Sequence, residues 1–291
     1  MKIGFVGLGN MGRAIAKHLL IENRQLMVWN RTKEKSDELR DAGATIAASL
    51  EEVVANDVLF SMLSDDLTIE EVLIRSEVFD RARSGIIHIN LSTISPMLAS
   101  KLASLHRKRA QLYISAPVLG RPEAARAGKL TVVAAGDLQV LPVVQSLFDL
   151  FAQKTWTLET RAEKANVVKL ASNLMLAAAI ESMSEASAFV GGYGVNPGQL
   201  LEITNSAVFA CPAYQLYGKA ITNETFEPAG FSVHLGAKDV RLGLAAAEEV
   251  NVPMPLSSVV RDSLLEAKAM GKEYKDWAVL GQVSQTRAGR R

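Results

Sequence analysis

Residues 1–20 read MKIGFVGLGNMGRAIAKHLL. A short apolar run, Ile3–Val6, meets Gly7, Gly9 and Gly12, and an amphipathic stretch follows at once. This is G-x-G-x-x-G at a strand-to-helix junction, and each glycine answers a different need. Gly7 permits the tight turn, Gly9 lets backbone approach a pyrophosphate with no Cβ in the way, and Gly12 lets helix and strand pack closely. The helix start adds free N–H groups and a positive dipole end. Leu8, Asn10 and Met11 belong to the same loop and are candidate cofactor contacts.

A lone motif of this kind is weak. Here a strand precedes it, a helix follows, and a second strand, QLMVWN (25–30), comes about 20 residues on. An NAD-binding chain places a carboxylate at the end of that second strand. This one has Asn30, Arg31 and Thr32, then Lys33 and Lys35. A guanidinium and a hydroxyl suit a 2′-phosphate, so the expected cofactor is NADP(H), with NAD(H) the second candidate.

Outward from the motif, strand-like runs alternate with helical ones: DVLFSML (57–63), GIIHINLS (85–92), QLYISAPV (111–118) and LTVVAAG (130–136). That alternation predicts βαβ units and a parallel sheet. It stops near Trp156. From residue 161 the chain reads as helices, with Asn196–Pro197 marking one start. The expectation is a dinucleotide-binding α/β domain over residues 1–160 and an all-helical domain over 161–291, with TRAGRR (286–291) a frayed tail.

Composition narrows the classes. Thirty-two basic and 31 acidic residues leave a net charge of +1, which gives no electrostatic footprint for nucleic acid or an anionic membrane. The one cysteine, Cys211, excludes an intramolecular disulfide and suits a reducing, cytoplasmic compartment. It reads as packed like a small apolar group. The N-terminal apolar run is too short for a signal peptide. The longest apolar stretch, residues 170–192, contains Asn173, Glu181 and Glu185 and reads as a buried core helix, not a membrane span. His18, His88, His106 and His234 show no metal-ligand spacing. His18 and His106 read as solvated.

Four further stretches carry chemistry. INLSTISP (89–96) ends a strand, where open α/β sheets bind ligands, which places Ser92 and Thr93 near a nicotinamide. SAPVLGRPEAARAGKL (115–130) follows another strand and holds Val118, Leu119, Gly120 and Arg121. In KANVVKLASNLM (164–175), Asn166, Lys169 and Asn173 share one helix face at i, i+3 and i+7. HLGAKDVRLGLAAA (234–247) places Lys238 and Asp239 early in another helix. Met62 and Leu63, ending the DVLFSML strand, complete the cofactor candidates.

Together these stretches, with GKEYKDWAVL (271–280), resemble the β-hydroxyacid dehydrogenases over nearly the whole chain. That family includes 3-hydroxyisobutyrate dehydrogenases, tartronate semialdehyde reductases and glyoxylate/succinic semialdehyde reductases. The resemblance implies a Rossmann domain joined by a long interdomain helix to an all-α domain, and a homodimer or homotetramer. It implies a small carbonyl or hydroxyacid substrate. Lys169 matches the family's catalytic lysine and Asn173 the asparagine that helps hold substrate. Thr93 matches a cofactor contact and Lys238 a lysine reaching the cofactor. Ser92, Val118, Leu119, Gly120 and Arg121 are the substrate-loop candidates. Desolvation of a lysine in a cleft lowers its pKa toward working pH, as a general acid/base needs.

The loop departs from the family pattern. Where many members read PVSGG, this chain has PVLGR (117–121). Arg121 either binds a substrate carboxylate bidentately or points to solvent while Leu119 makes the pocket more apolar. Two other functions share the fold or the glycine motif. An NADPH-dependent imine reductase usually lacks the lysine, and a non-catalytic dinucleotide sensor would have no need of it.

Overall fold

The computed structural model describes residues 1–20 and 25–290. Two compact units divide the chain, Met1–Lys169 and Leu170–Arg291. Their boundary falls inside one 30-residue helix, Glu163–Gly192.

The first unit is built on a nine-stranded sheet. Its strands are β1 (Lys2–Val6), β2 (Gln25–Trp29), β3 (Thr45–Ile46), β4 (Val58–Ser61), β5 (Ile87–Asn90), β6 (Leu112–Ser115), β7 (Val118–Leu119), β8 (Leu130–Gly136) and β9 (Ala152–Thr157). They lie in the order β3-β2-β1-β4-β5-β6-β8-β7, with β9 on β8. From β3 to β6 every pairing is parallel. Parallel strands covered on both faces read as continuous apolar runs, and VLFS of β4 is buried throughout. The period of two sorts its residues. Val58 and Phe60 join one core with Phe5, Ile89 and Ile114, while Leu59 joins the opposite core with Val6, Leu98 and Tyr113. This is the parallel sheet that the alternation predicts and the Rossmann domain that the resemblance implies.

The far edge departs from an all-parallel sheet. β8 runs antiparallel to both β6 and β7. A parallel crossover needs a dozen or more residues, and the link 120–129 with its five-residue helix Pro122–Arg126 is too short to make one. Strand β3 is two residues long, below what periodicity detects.

The second unit is helical. Leu174, Ile180, Met183, Val240, Leu264 and Val283 pack around Trp277, whose ring meets Phe231 and Tyr217 edge-on at centroid distances of 4.7 and 6.0 Å. The Asn196 side chain caps the helix Pro197–Ala207, where the sequence places a start. The long helix Glu163–Gly192 could cross a bilayer by length and composition alone. Within this unit it is a core element. Its buried Glu181 accepts from Ser263 Oγ at 2.6 Å and pairs with Arg287 at 3.2 Å. Burial raises the Glu181 pKa above the usual carboxylate range.

Three expectations need correction here. Residues 286–290 are not a frayed tail: Arg287 pairs with Glu181 and Glu266, and Arg290 donates to the Ala188 carbonyl. Arg291 lies outside the described residues. Cys211 is half-exposed, not packed in a core. His106 is fully buried, not solvated, and His18, half-buried, hydrogen-bonds the Ala125 carbonyl through Nε2 at 2.9 Å.

His106 and His88 lie together against Phe79 and Tyr113 of the opposite core, the one that holds Leu59. His88 Nδ1 meets His106 Nε2 at 2.9 Å, His88 Nε2 meets Ser61 Oγ at 2.8 Å, and His106 Nδ1 meets Gln111 Oε1 at 3.0 Å. Gln111 donates to the Phe79 carbonyl at 2.7 Å, and the Phe79 and Tyr113 rings cover both imidazoles. Burial brings the His106 pKa down to about 4 and holds that of His88 well below the ordinary value. Both are therefore neutral in the fold. Below the ordinary imidazole pKa of 6.5, the unfolded chain takes up protons that the folded one refuses, so stability falls with falling pH. Each histidine contributes about 1.4 kcal/mol per pH unit. Urea unfolding at pH 7.5 and 5.0 should show a net loss at the lower pH, with Glu181, whose raised pKa favours the folded state as pH falls, opposing it only in part. Equal stabilities would contradict neutral burial of the pair.

Candidate active site

The strand order reverses between β1 and β4, and open α/β sheets hold ligands outside the carboxyl ends of the strands at such a point. Each dinucleotide candidate of the first unit lies on that edge. After β1 the chain turns at Gly7, whose φ is +96°. A Cβ there would stand 2.3 Å from the Met62 carbonyl oxygen. Gly12, on the helix Asn10–Leu19, is tighter still, since its Cβ would lie 2.0 Å from the Gly7 carbonyl oxygen. Gly9 is different. It caps the helix, is exposed, and would meet no protein atom within 4 Å. The first two glycines serve the fold. The third leaves an open cradle over a helix N-terminus whose first turn has no acidic residue, and that cradle fits a pyrophosphate. Leu8 is buried beneath it, with Asn10 exposed and Met11 half-buried at the rim.

The end of β2 closes one side. Asn30 accepts from the Leu8 backbone N–H at 2.9 Å and donates to the Thr32 carbonyl at 2.7 Å. One side chain thus ties the glycine loop to the residues placed for ribose recognition. Arg31 reaches outward, 74% exposed, with Glu71 at 3.8 Å. Glu71 is 40 positions away in sequence and left no signal there. Thr32 is exposed beside it.

The ends of β4 and β5 close the other side. Met62 and Leu63 are half-buried, and Leu63 N–H donates to Ser92 Oγ at 2.8 Å. Ser92 is fully buried and its own N–H donates to Asn90 Oδ1 at 3.0 Å. The structure thus commits the Ser92 hydroxyl to the backbone of the neighbouring strand end. Thr93 is half-buried next to it. Along the substrate-loop candidates, Val118 is buried, Leu119 half-buried, and Gly120 exposed with φ of +135°. Arg121, half-buried, lies 3.5 Å from the Glu123 carboxylate.

Lys169 belongs to the same unit and is only 9% exposed. Asn173, one turn along the same helix, belongs to the second unit, where its amide donates to Asp239. Asp239 is also 2.9 Å from Lys238 Nζ. All three are buried. The structure therefore brings Asn173 and Lys238 onto one carboxylate, a role for Asp239 that sequence did not reveal. Of the aromatic residues in this unit, Tyr217 and Phe231 pack in the core, while Phe209 stacks on Tyr214 and stays exposed.

Comparison with known proteins gives this arrangement a family. Residues 2–160 match the model described as the NAD binding domain of 6-phosphogluconate dehydrogenase. Residues 164–283 match that described as NAD-binding of NADP-dependent 3-hydroxyisobutyrate dehydrogenase. An uncharacterized oxidoreductase of Bacillus subtilis, YfjR, is 36% identical, with 96% of this chain and 98% of the relative covered. Glyoxylate/succinic semialdehyde reductase 1 of Arabidopsis thaliana is 28% identical, covering 96% of this chain and 97% of the relative. Among solved structures, Mycobacterium tuberculosis 3-hydroxyisobutyrate dehydrogenase, with L-serine, shares the fold at a TM-score of 0.87. It is 24% identical, with 97% and 98% of the two chains covered. The chain belongs to the β-hydroxyacid dehydrogenase family and is an NAD(P)-dependent oxidoreductase.

Proposed function

We propose that this protein is an NADP(H)-dependent reductase or dehydrogenase of a small β-hydroxyacid or semialdehyde, with Lys169 as its general acid/base. The observation that carries the reading is a buried lysine on a helix face of the same unit that holds the dinucleotide edge. The nicotinamide supplies hydride exchange with a substrate carbon. The chain supplies the rest. The N–H groups of Asn10, Met11 and Gly12 receive the pyrophosphate. Arg31 and Thr32 receive a 2′-phosphate, which takes the place of Glu71 as counter-charge to Arg31. Lys169 gives a proton to the carbonyl oxygen during reduction and takes it from the hydroxyl during oxidation. Asn173, its amide fixed by Asp239, orients the substrate oxygen. The exposed Met175 and Phe189 of the long helix and Tyr193 just past its end support a homodimer or homotetramer, because apolar surface of this kind is usually covered by a partner.

Three measurements test this. NADPH turnover is followed by its absorbance with succinic semialdehyde, glyoxylate, methylmalonate semialdehyde and a cyclic imine, in wild type and Lys169→Ala. A semialdehyde should be reduced, and the variant should lose roughly 10²–10⁴-fold in kcat, the worth of a positioned acid/base. Turnover of the imine alone, or indifference to the substitution, would move the reading to imine reduction and release Lys169 from its role. Arg31→Ala should raise KM for NADPH about tenfold or more, the worth of a charge-assisted hydrogen bond, and leave KM for NADH unchanged. Parallel losses for both cofactors would remove the NADP(H) preference.

The third measurement separates the glycines. Gly9→Ala should melt within a few degrees of wild type, since its Cβ meets no protein atom, yet lose NADPH affinity at least tenfold because the methyl occupies the cradle. Gly12→Ala should unfold at markedly lower temperature, despite the roughly 1 kcal/mol that alanine gains over glycine in a helix. Its Cβ would collide with backbone. The opposite pattern would misplace the cofactor.

A further inference from the structure

We infer that Asn166 is a positioning residue for Lys169, acting through two buried hydrogen bonds that tie the base of the long helix to the segment after β5 and to the end of β6. The inference rests on the role of Lys169 proposed above. Asn166 is fully buried and uses both ends of its amide. Oδ1 accepts from Ile94 N–H at 3.2 Å, and Nδ2 donates to Ser115 Oγ at 2.6 Å. Ser115 ends β6, two residues after Tyr113, whose hydroxyl is buried in the same core. Asn90 Nδ2 donates to that hydroxyl at 3.2 Å. Asn90 Oδ1 accepts from Ser61 Oγ at 3.3 Å and from Ser92 N–H at 3.0 Å, and Ser92 Oγ holds Leu63 N–H at 2.8 Å. Two sets of bonds therefore meet at the same two strand ends: Asn166 holds Ile94 and Ser115, and the Asn90 set holds Ser92 and Tyr113, each two residues before.

Packing alone would not fix this end of the helix. Ahead of Leu170, the apolar side chains buried at this end are Ala165 and, just before the helix, Ala162, and methyl groups offer little relief against rotation about the helix axis. An apolar residue at 166 would avoid the cost of burying an amide. A satisfied buried network instead specifies one arrangement, and here its two anchors, Ile94 and Ser115, come from different segments. Lys169 is three residues on, about 60° around the axis and about 4.5 Å along it. Rotation of the helix by a few degrees carries the lysine tip on the order of 1 Å, and a misplacement of that size costs up to about 100-fold in rate.

The test uses Asn166→Leu, which keeps the size and removes both bonds, and Ser115→Ala, which removes one bond at a distance from Lys169. Turnover is normalised to NADPH-binding sites titrated by fluorescence, so that unfolded protein does not count. Each variant should lose kcat, roughly 10–100-fold for Asn166→Leu and at least threefold for Ser115→Ala. Kd for NADPH should stay within twofold of wild type. The double variant should be no worse than Asn166→Leu alone, because the two act through one bond. If Asn166→Leu does not fold, Ser115→Ala carries the test. A lowered melting temperature with kcat within twofold of wild type, beside a collapsed Lys169→Ala, makes Asn166 merely structural and overturns the inference alone. Retained turnover in Lys169→Ala overturns both this inference and the reading beneath it.

Discussion

The first unit depends on one close approach, between the Gly7 carbonyl and Gly12. The chain leaves β1, reverses within a few residues and sends a helix back along the sheet, with 2.0 Å between that oxygen and the place of a Cβ at residue 12. No other residue type permits it. Because the helix starts there, its N-terminus faces the carboxyl edge of the sheet, and because β1 is central, that edge also receives the ends of β2, β4 and β5. Cofactor recognition is thus a consequence of strand order combined with one backbone contact. The parallel pairing then requires covered faces, which is why apolar runs and intervening helices dominate residues 1–150.

What sequence made legible was what local rules govern. The glycines declare themselves because spacing and context are both short-range. Arg31 could be read because it occupies the slot where a carboxylate is expected two strands into the motif. Lys169 and Asn173 could be read together because helical periodicity puts them on one face, and the resemblance supplied their roles. The features that escaped depend on partners distant in the chain. HRKR at 106–109 looks like a solvated helix end because three of its four members are basic. Yet His106 faces inward, where Phe79, His88 and Tyr113 receive it. Asp239 joins Asn173 across 66 positions, and Arg287 joins Glu181 across 106. No window of the sequence contains either pair.

The buried groups of the first unit divide by charge in a consistent way. Its deep polar residues, namely Ser61, His88, Asn90, His106, Gln111, Tyr113, Ser115 and Asn166, are all neutral, including two histidines that burial keeps unprotonated. Arg31 stands toward solvent, whereas Lys169, at the base of the long helix, is a charged side chain that is itself buried. A charge inside that core would carry a desolvation cost of several kcal/mol, whereas neutral groups whose bonds are made carry little.

That division matters for a dinucleotide enzyme. The ligand brings several negative charges to the carboxyl edge, and only the helix dipole, backbone N–H groups and marginal cations answer them. A fixed neutral interior leaves that local balance undisturbed, because it places no titrating charge behind the carboxyl ends of the strands. The same neutrality lets the polar set act through geometry alone. Its members can hold strand ends and a helix in register at neutral pH without placing a second titrating charge beside Lys169. On the proposed roles, rigidity and proton transfer fall to different residues of one unit, Asn166 and Lys169, three positions apart on one helix.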